Sequence, residues 1–443
     1  MKVLFLYTNI NGYHTNCYSF GLASIVSVTR EAGYEARVVI VRTRQDYKEI
    51  NEIICEFHPR IVAFSAVSSQ FIFVKEICHA LKKIDPSIIT VCGGVHPTIN
   101  PECVLETKEL DCIFLGESEK SFEGFLKKIS QNQDYRDSDN LAYVQDGSLI
   151  RNPLKPLLTD LDSLPEPDKE VYPFGEAISV LGYAPFLFSR GCPFLCSYCS
   201  NHAIAKLYNK ERNVPRFRSP ELCIQEIERT VRRFDIKKIY IIDDIFGIEK
   251  NWRKEFCEKY LKRIGKPYFC LLRVNVIDKE FVDLLKRSGC VRVLIGLESG
   301  NEHVRNQIMN RMMTNEQIER AFYLIRKAGM ETVALNIIGV PGETEEMIWD
   351  TIRLNRKIKP AASEANIFFP YRGTKLGDDC FEKGLVDEKL YFNFSNERRD
   401  TVLKYSKEFR CKLLHYRDQW GELVYPFDMK RRAKKWLKKL LFR

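Results

Sequence analysis

Short runs rich in β-branched and aromatic residues alternate with longer stretches of helical periodicity, and they do so twice along the 443 residues. In the first series, 2–7, 36–41, 60–65, 88–92 and 111–115 read as buried strands, with helical patterns near 19–32, 46–57, 71–84 and 118–130. Short β-branched strands bounded by polar or Gly signals, with a helix between each pair, fit a parallel sheet covered on both faces. Ligands of such sheets lie in the loops after the carboxyl ends of the strands. Here those loops hold Thr8, Asn9 and Asn11, Ser65 to Ser69, Gly93-Gly94-Val95-His96-Pro97, and Gly116-Glu117.

A hairpin is expected at 141–152, turning at Asp146-Gly147, and a proline-rich linker runs on to about 175. The second series has strand candidates 184–190, 237–243, 268–274, 291–297, 332–339 and 364–369. Its helical patterns lie near 219–234, 249–264, 279–288, 314–328 and 344–358. Six strand–helix repeats in this span fit an incomplete parallel barrel, since a full eightfold one takes about 250 residues. From about 385 the chain reads as helical and charged. The expected division is 1–135, 136–180, 181–375 and 376–443.

Composition narrows the class. An apolar fraction of 45% with 12% aromatics suits packed globular domains. No apolar run reaches the roughly 18 residues of a membrane span, and no signal peptide is evident, so the chain reads as cytosolic. Fifteen cysteines in a reducing compartment argue against a disulfide framework. The net charge of +10 is concentrated in 428–443, where eight Lys or Arg face one acid. That basic amphipathic stretch reads as a helix packed on the body, or as an anchor at the inner membrane face. Contact with nucleic acid ranks below both.

Only Cys192, Cys196 and Cys199 cluster, in a loop directly after the first barrel strand. Three thiolates without an obvious fourth suit a four-iron cluster with one open iron. Zinc is the competitor, with His202 as the nearby fourth ligand.

C-x3-C-x2-C in this setting resembles the radical S-adenosylmethionine (SAM) superfamily. The resemblance implies a [4Fe-4S] cluster whose open iron binds SAM, and reductive cleavage of SAM to methionine and a 5′-deoxyadenosyl radical. It also implies SAM contacts: Tyr198 before the third cysteine, Asp243-Asp244 after the second strand, and Arg273 with Asn275 after the third. Glu298 in Gly-Leu-Glu-Ser-Gly, and Gly339 and Pro341 in Gly-Val-Pro-Gly-Glu-Thr, complete that set. The first series resembles the cobalamin-binding domain that precedes the barrel in cobalamin-dependent members. On that resemblance Asn9, Ser65, Ser68, Gly93, Gly94, His96, Gly116 and Glu117 are the cobalamin contacts. The D-x-H-x-x-G signature of histidine-ligated cobalt is absent: 9–14 read Asn-Ile-Asn-Gly-Tyr-His. His14 and His96 therefore read as loop residues.

The fold class expected is α/β: an N-terminal Rossmann-like parallel sheet of cobalamin-binding type, a partial (β/α)6 radical SAM barrel, and a helical C-terminal region. The function expected is radical C-methylation of a small-molecule or lipid-like substrate, fed by an external electron donor. Radical cyclisation or rearrangement is the alternative within the class. A tRNA methylthiotransferase would need three further clustered cysteines and an RNA-binding barrel. A redox sensor would not need the cofactor motifs. Substrate groups are expected from 370–427, with Tyr371, Arg372 and Asp378 as positional candidates; Arg372 stands where relatives often have proline.

Overall fold

The computed structural model describes residues 1–10, 18–210 and 214–426. The first series forms strands β1 (Lys2–Thr8), β2 (Glu35–Val41), β3 (Ile61–Ser65), β4 (Ile89–Gly93) and β5 (Cys112–Phe114). Helices α1 (Phe20–Glu31), α2 (Asp46–Phe57), α3 (Phe71–Ile84) and α4 (Val95–Ile99) connect them, and α5 (Glu119–Ser130) follows. Along β1, Val3 and Phe5 point into one buried cluster with α1 and α5, while Leu4 and Leu6 point into another with α2 and α3. Helices thus cover both faces, which is why consecutive residues such as Val3 to Leu6 of β1 are apolar rather than alternating.

The expected hairpin is present as β6 (Leu141–Gln145) and β7 (Ser148–Arg151), and it extends the sheet by pairing antiparallel to β5. The strand order is β2-β1-β3-β4-β5-β6-β7. The order reverses between β1 and β3, which opens a crevice at their carboxyl ends.

The proline-rich segment is a tied strap. Asp168 Oδ1 accepts the backbone N–H groups of Glu170, Val171 and Tyr172, and its other oxygen binds Arg30 of α1 at 2.5 Å. The strap ends in α6 (Phe174–Leu181), and Tyr172, Phe174 and Ala177 carry one apolar core from the first sheet into the second unit.

That unit contains β8 (Ala184–Phe186), β9 (Ser189–Arg190), α7 (Ser200–Leu207), β10 (Arg216–Phe217), α8 (Pro220–Arg233), β11 (Ile239–Ile241) and α9 (Lys250–Arg263). It continues through β12 (Tyr268–Leu272), α10 (Lys279–Arg287), β13 (Cys290–Glu298), α11 (Asn315–Lys327), β14 (Glu331–Ile338), α12 (Glu345–Ile358) and β15 (Ala362–Ile367). Strands β8, β11, β12, β13, β14 and β15 pair in that order, all parallel, as a partial (β/α)6 barrel.

Two expectations are corrected. The strand expected at 184–190 breaks after Phe186, because Asp243 Oδ1 takes the N–H groups of Phe188 and Ser189. Ser189-Arg190 then pairs with β10 instead. The C-terminal region is only partly helical, with α13 (Lys375–Glu382), α14 (Glu388–Tyr391) and α15 (Lys407–Val424). Between α14 and α15 the chain is irregular, because Phe394, Val402 and Leu403 are buried in a satellite core and Val386 bridges Leu403. Among the described residues no helix is long and apolar enough to cross a membrane. The basic stretch 428–443, and His14, lie outside the described residues.

Candidate active site

The cluster loop runs from Arg190 to Cys199, and Cys199 caps α7. Burial pushes the Cys192 thiol up to about 11 and the Cys199 thiol up to about 12. The backbone N–H of Phe194 acts against this at Cys192, and that of Asn201 at Cys199. Cys196 Sγ accepts instead from guanidinium groups: Arg273 Nη1 at 3.1 Å and Arg311 Nη1 at 3.8 Å. Three thiols with N–H donors, crowded in a low dielectric, suit a bound cationic cluster as thiolates. Among the described residues no three His, Cys, Asp or Glu side chains gather as one metal ion requires. A four-iron cluster asks instead that each thiolate reach its own iron.

The loop is fastened on the barrel side by the segment after β13. Ser197 N–H donates to Met309 O and its hydroxyl to Ile308 O, while Asn310 Nδ2 donates to Leu195 O. Arg311 is the hub. It donates to the Tyr198 hydroxyl at 2.7 Å and Gly296 O at 2.6 Å, and pairs with Glu298 at 3.2 Å. Glu298 can reach it because its backbone takes φ +65°, next to a register shift in β13. Such strain in a non-glycine residue gathers at functional sites. Nothing local in the sequence marks Arg311, which stands between Asn310 and Met312.

The cofactor acids divide in role. Asp243 is fully buried and spends one oxygen on the strand break; burial raises its pKa to about 6. Asp244 lines the principal cavity with Asn201 and Gly191. Arg273 is already committed through all three nitrogens: to Cys196, to Asn275 Oδ1 at 2.8 Å and to Arg311 O, with its face 3.9 Å from the Phe194 ring. Gly339, with Val340, donates its N–H to Glu343 Oε2, and Tyr405 donates to Gly339 O. Pro341 is part of the same turn.

The principal cavity, of about 480 Å³, lies between the two units. The first sheet contributes Ser65, Gly93, Gly94, Gly116 and Glu117, and the barrel contributes Phe188 to Gly191, Asn201 and Asp244. Gly21 of α1 also lines it, and a Cβ built there meets nothing within 4 Å. Thr8 Oγ1 and Asn9 Oδ1, at the end of β1, are buried without a partner among the described residues. A large, partly apolar ligand with polar edges suits this space, and a corrin with its amide arms is such a ligand.

Asn9, Ser68 and His96 do not line that cavity. His96 is buried and pushed down to about 3 by burial, bonds the Ser68 hydroxyl at 3.0 Å, and packs against Phe71. Glu117 lines the cavity but is bound to Arg216 at 2.5 Å. Its own N–H donates to the Tyr208 hydroxyl.

Comparison with known proteins agrees with this geometry. Residues 9–126 match the B12 binding domain and residues 186–354 match the Radical SAM superfamily. The chain is 26% identical to the anaerobic magnesium-protoporphyrin IX monomethyl ester cyclase of Rubrivivax gelatinosus, over 99% of this chain and 81% of that protein. It is 26% identical to an uncharacterized methyltransferase of Pyrococcus horikoshii, over 83% and 79%. Its fold resembles the radical SAM methyltransferase TsrM from Kitasatospora setae, solved with tryptophan and a SAM analogue. The TM-score is 0.69 at 19% identity, over 86% of this chain and 76% of that one.

The chain belongs to the radical SAM enzymes that carry a cobalamin-binding domain. Its cofactors are accordingly a [4Fe-4S] cluster, SAM and cobalamin.

Proposed function

We propose that this enzyme transfers a methyl group to an unactivated carbon of a small-molecule or lipid-like substrate. The observation that carries the reading is the cavity of about 480 Å³ shared by the two units. The glycine-lined ends of β4 and β5 face Asp244, Asn201 and the cluster loop across one space. When bound, the cluster supplies the electron that cleaves SAM, and cobalamin carries the methyl group.

The chain's own residues do the rest. Cys192, Cys196 and Cys199 hold the cluster. Asp244 would bind the SAM ammonium, and Tyr198, Glu298 and the Gly339–Pro341 turn are the other residues that would hold that cofactor. Ser65, Gly93, Gly94 and Gly116, which line the cavity, would hold the corrin. The apolar wall, including Phe20, Leu22, Phe114 and Phe188, keeps water from the reacting carbon.

Oxidative cyclisation is the second reading, favoured by the cyclase relative that spans 99% of the chain. An external one-electron donor serves either. The cytosol, which keeps fifteen cysteines reduced, is the compartment that suits both. The test is anaerobic turnover with methyl-labelled SAM, cobalamin and dithionite, with Cys196→Ala as control. Label in a carbon-bound product supports methyl transfer. 5′-Deoxyadenosine formed with product that carries no label supports cyclisation.

A further inference from the structure

Of the three cluster cysteines, Cys192 and Cys199 meet backbone N–H groups, from Phe194 and Asn201. Backbone donors of this kind persist whatever side chain occupies those positions. Cys196 is different, because its sulfur faces two side-chain cations. Arg273 cannot swing away freely. Its other nitrogens are held by Asn275 Oδ1 and Arg311 O, its face lies on Phe194, and it is 5% exposed. Arg311 is equally fixed, by Tyr198, Gly296 O and Glu298.

We propose that Arg273, backed by Arg311, sets the reduction potential of the cluster through its N–H···S bond to Cys196. Arg273 is a positioning and tuning residue: it touches a cluster ligand, and its argued effect passes through that sulfur. Reduction adds one electron from the external low-potential donor to the cluster and moves no proton. The added negative charge spreads onto the sulfurs, where a fixed N–H donor and a buried positive charge stabilise it. The reduced form is thereby favoured over what three backbone-bonded thiolates would give. Arg311 carries part of its charge into the pair with Glu298, so its share at the sulfur is the smaller one.

The inference rests on the cluster alone. It needs neither cobalamin nor substrate, so it stands or falls separately from methyl transfer. Its test is an electron paramagnetic resonance redox titration of reconstituted wild type, Arg273→Lys, Arg273→Gln and Arg311→Gln, each matched for iron and sulfide content. The midpoint is expected to move to more negative potential in Arg273→Gln. A smaller shift is expected in Arg273→Lys, which keeps the charge but loses the fork, and in Arg311→Gln.

A wild-type measurement covers the case in which a variant fails to hold its cluster. With 15N-arginine incorporated, pulsed resonance of the reduced cluster is expected to show a nitrogen coupling that 15N-lysine labelling does not produce. An unchanged midpoint in a fully loaded Arg273→Gln, or no arginine nitrogen coupling in wild type, overturns the proposal. A wild-type chain that binds no four-iron cluster overturns it together with the radical reading.

Discussion

Arg190 Nη2 lies 2.5 Å from Glu119 Oε1, so the residue that opens the cluster loop is bound to the first turn of a helix in the cobalamin-binding domain. Burial alone would raise the Glu119 pKa, but the Arg190 charge outweighs it and holds the carboxyl below its usual range. Ser24 donates to the same oxygen, and Arg190 also approaches Glu117 at 3.5 Å. Removing one partner of such a pair strands the other charge away from water. Arg190→Met is expected to cost about 3 kcal/mol in urea unfolding, and a double variant with Glu119→Leu to recover much of it. A loss in the single variant no larger than that of a surface substitution would show the pair to be incidental.

Gly21 tests the cavity independently. It sits in α1 with an open volume beside its Cα. A side chain there improves helix propensity by about 1 kcal/mol while entering the ligand space. Gly21→Leu is expected to keep or raise the melting temperature and to weaken cobalamin binding at least tenfold in absorbance titrations. Unchanged affinity would mean that the corrin lies elsewhere.

The adjacent acids should separate cleanly. Asp243→Ala frees two buried N–H donors at the strand break, at a cost of about 2 kcal/mol or more. It should lower both stability and iron content. Asp244→Asn should leave both intact and weaken SAM binding to the cluster, read as loss of the SAM-induced change in its resonance spectrum. If the two variants behave alike, the assigned division of roles is wrong.

Glu343 makes a pH prediction. Burial lifts its carboxyl from an ordinary value near 4.5 to about 8, even though two backbone N–H groups favour the charged form. Between those two values the folded chain keeps a proton that the unfolded chain gives up. Stability contributed by this group is therefore present at low pH and falls as pH rises through the window, by up to about 1.4 kcal/mol per unit. Glu343→Gln should remove that slope. Parallel urea midpoints for variant and wild type from pH 5.5 to 8.5 would contradict it.

Much of this was legible in the chain. The bounds of α2 and α3 coincide with the expected 46–57 and 71–84, since amphipathic spacing and strong terminal breaks act locally. The place of the three cysteines in one loop, and of Asp244 after β11, was legible because each stands in a strand-end motif. Arg311 was not, because its meaning comes from a chain reversal that brings it to Tyr198, 113 residues away. The Gly116-Glu117 pair was seen as a strand-end loop, but not for what it meets. Gly116 takes φ +68°, and a Cβ there would fall 2.1 Å from the Tyr208 hydroxyl, so the position answers to the other domain as well as to a ligand. His96, read as a loop residue beside two glycines, lies instead in α4, and its ring closes inward onto Phe71.

The sixth barrel strand bears on how the molecule avoids its own kind. A partial barrel ends in a bare rim of backbone donors and acceptors, able to zip onto a neighbour. Here Ile367 N–H is taken by Arg398 O, Trp420 donates to the Ser363 hydroxyl, and Tyr425 reaches Pro360 O, with α15 laid along β15. Helix α15 is thus a selvedge on the woven sheet. A chain cut before Lys407 should keep its cluster loop and cavity yet stick to itself, coming off a sizing column as aggregate.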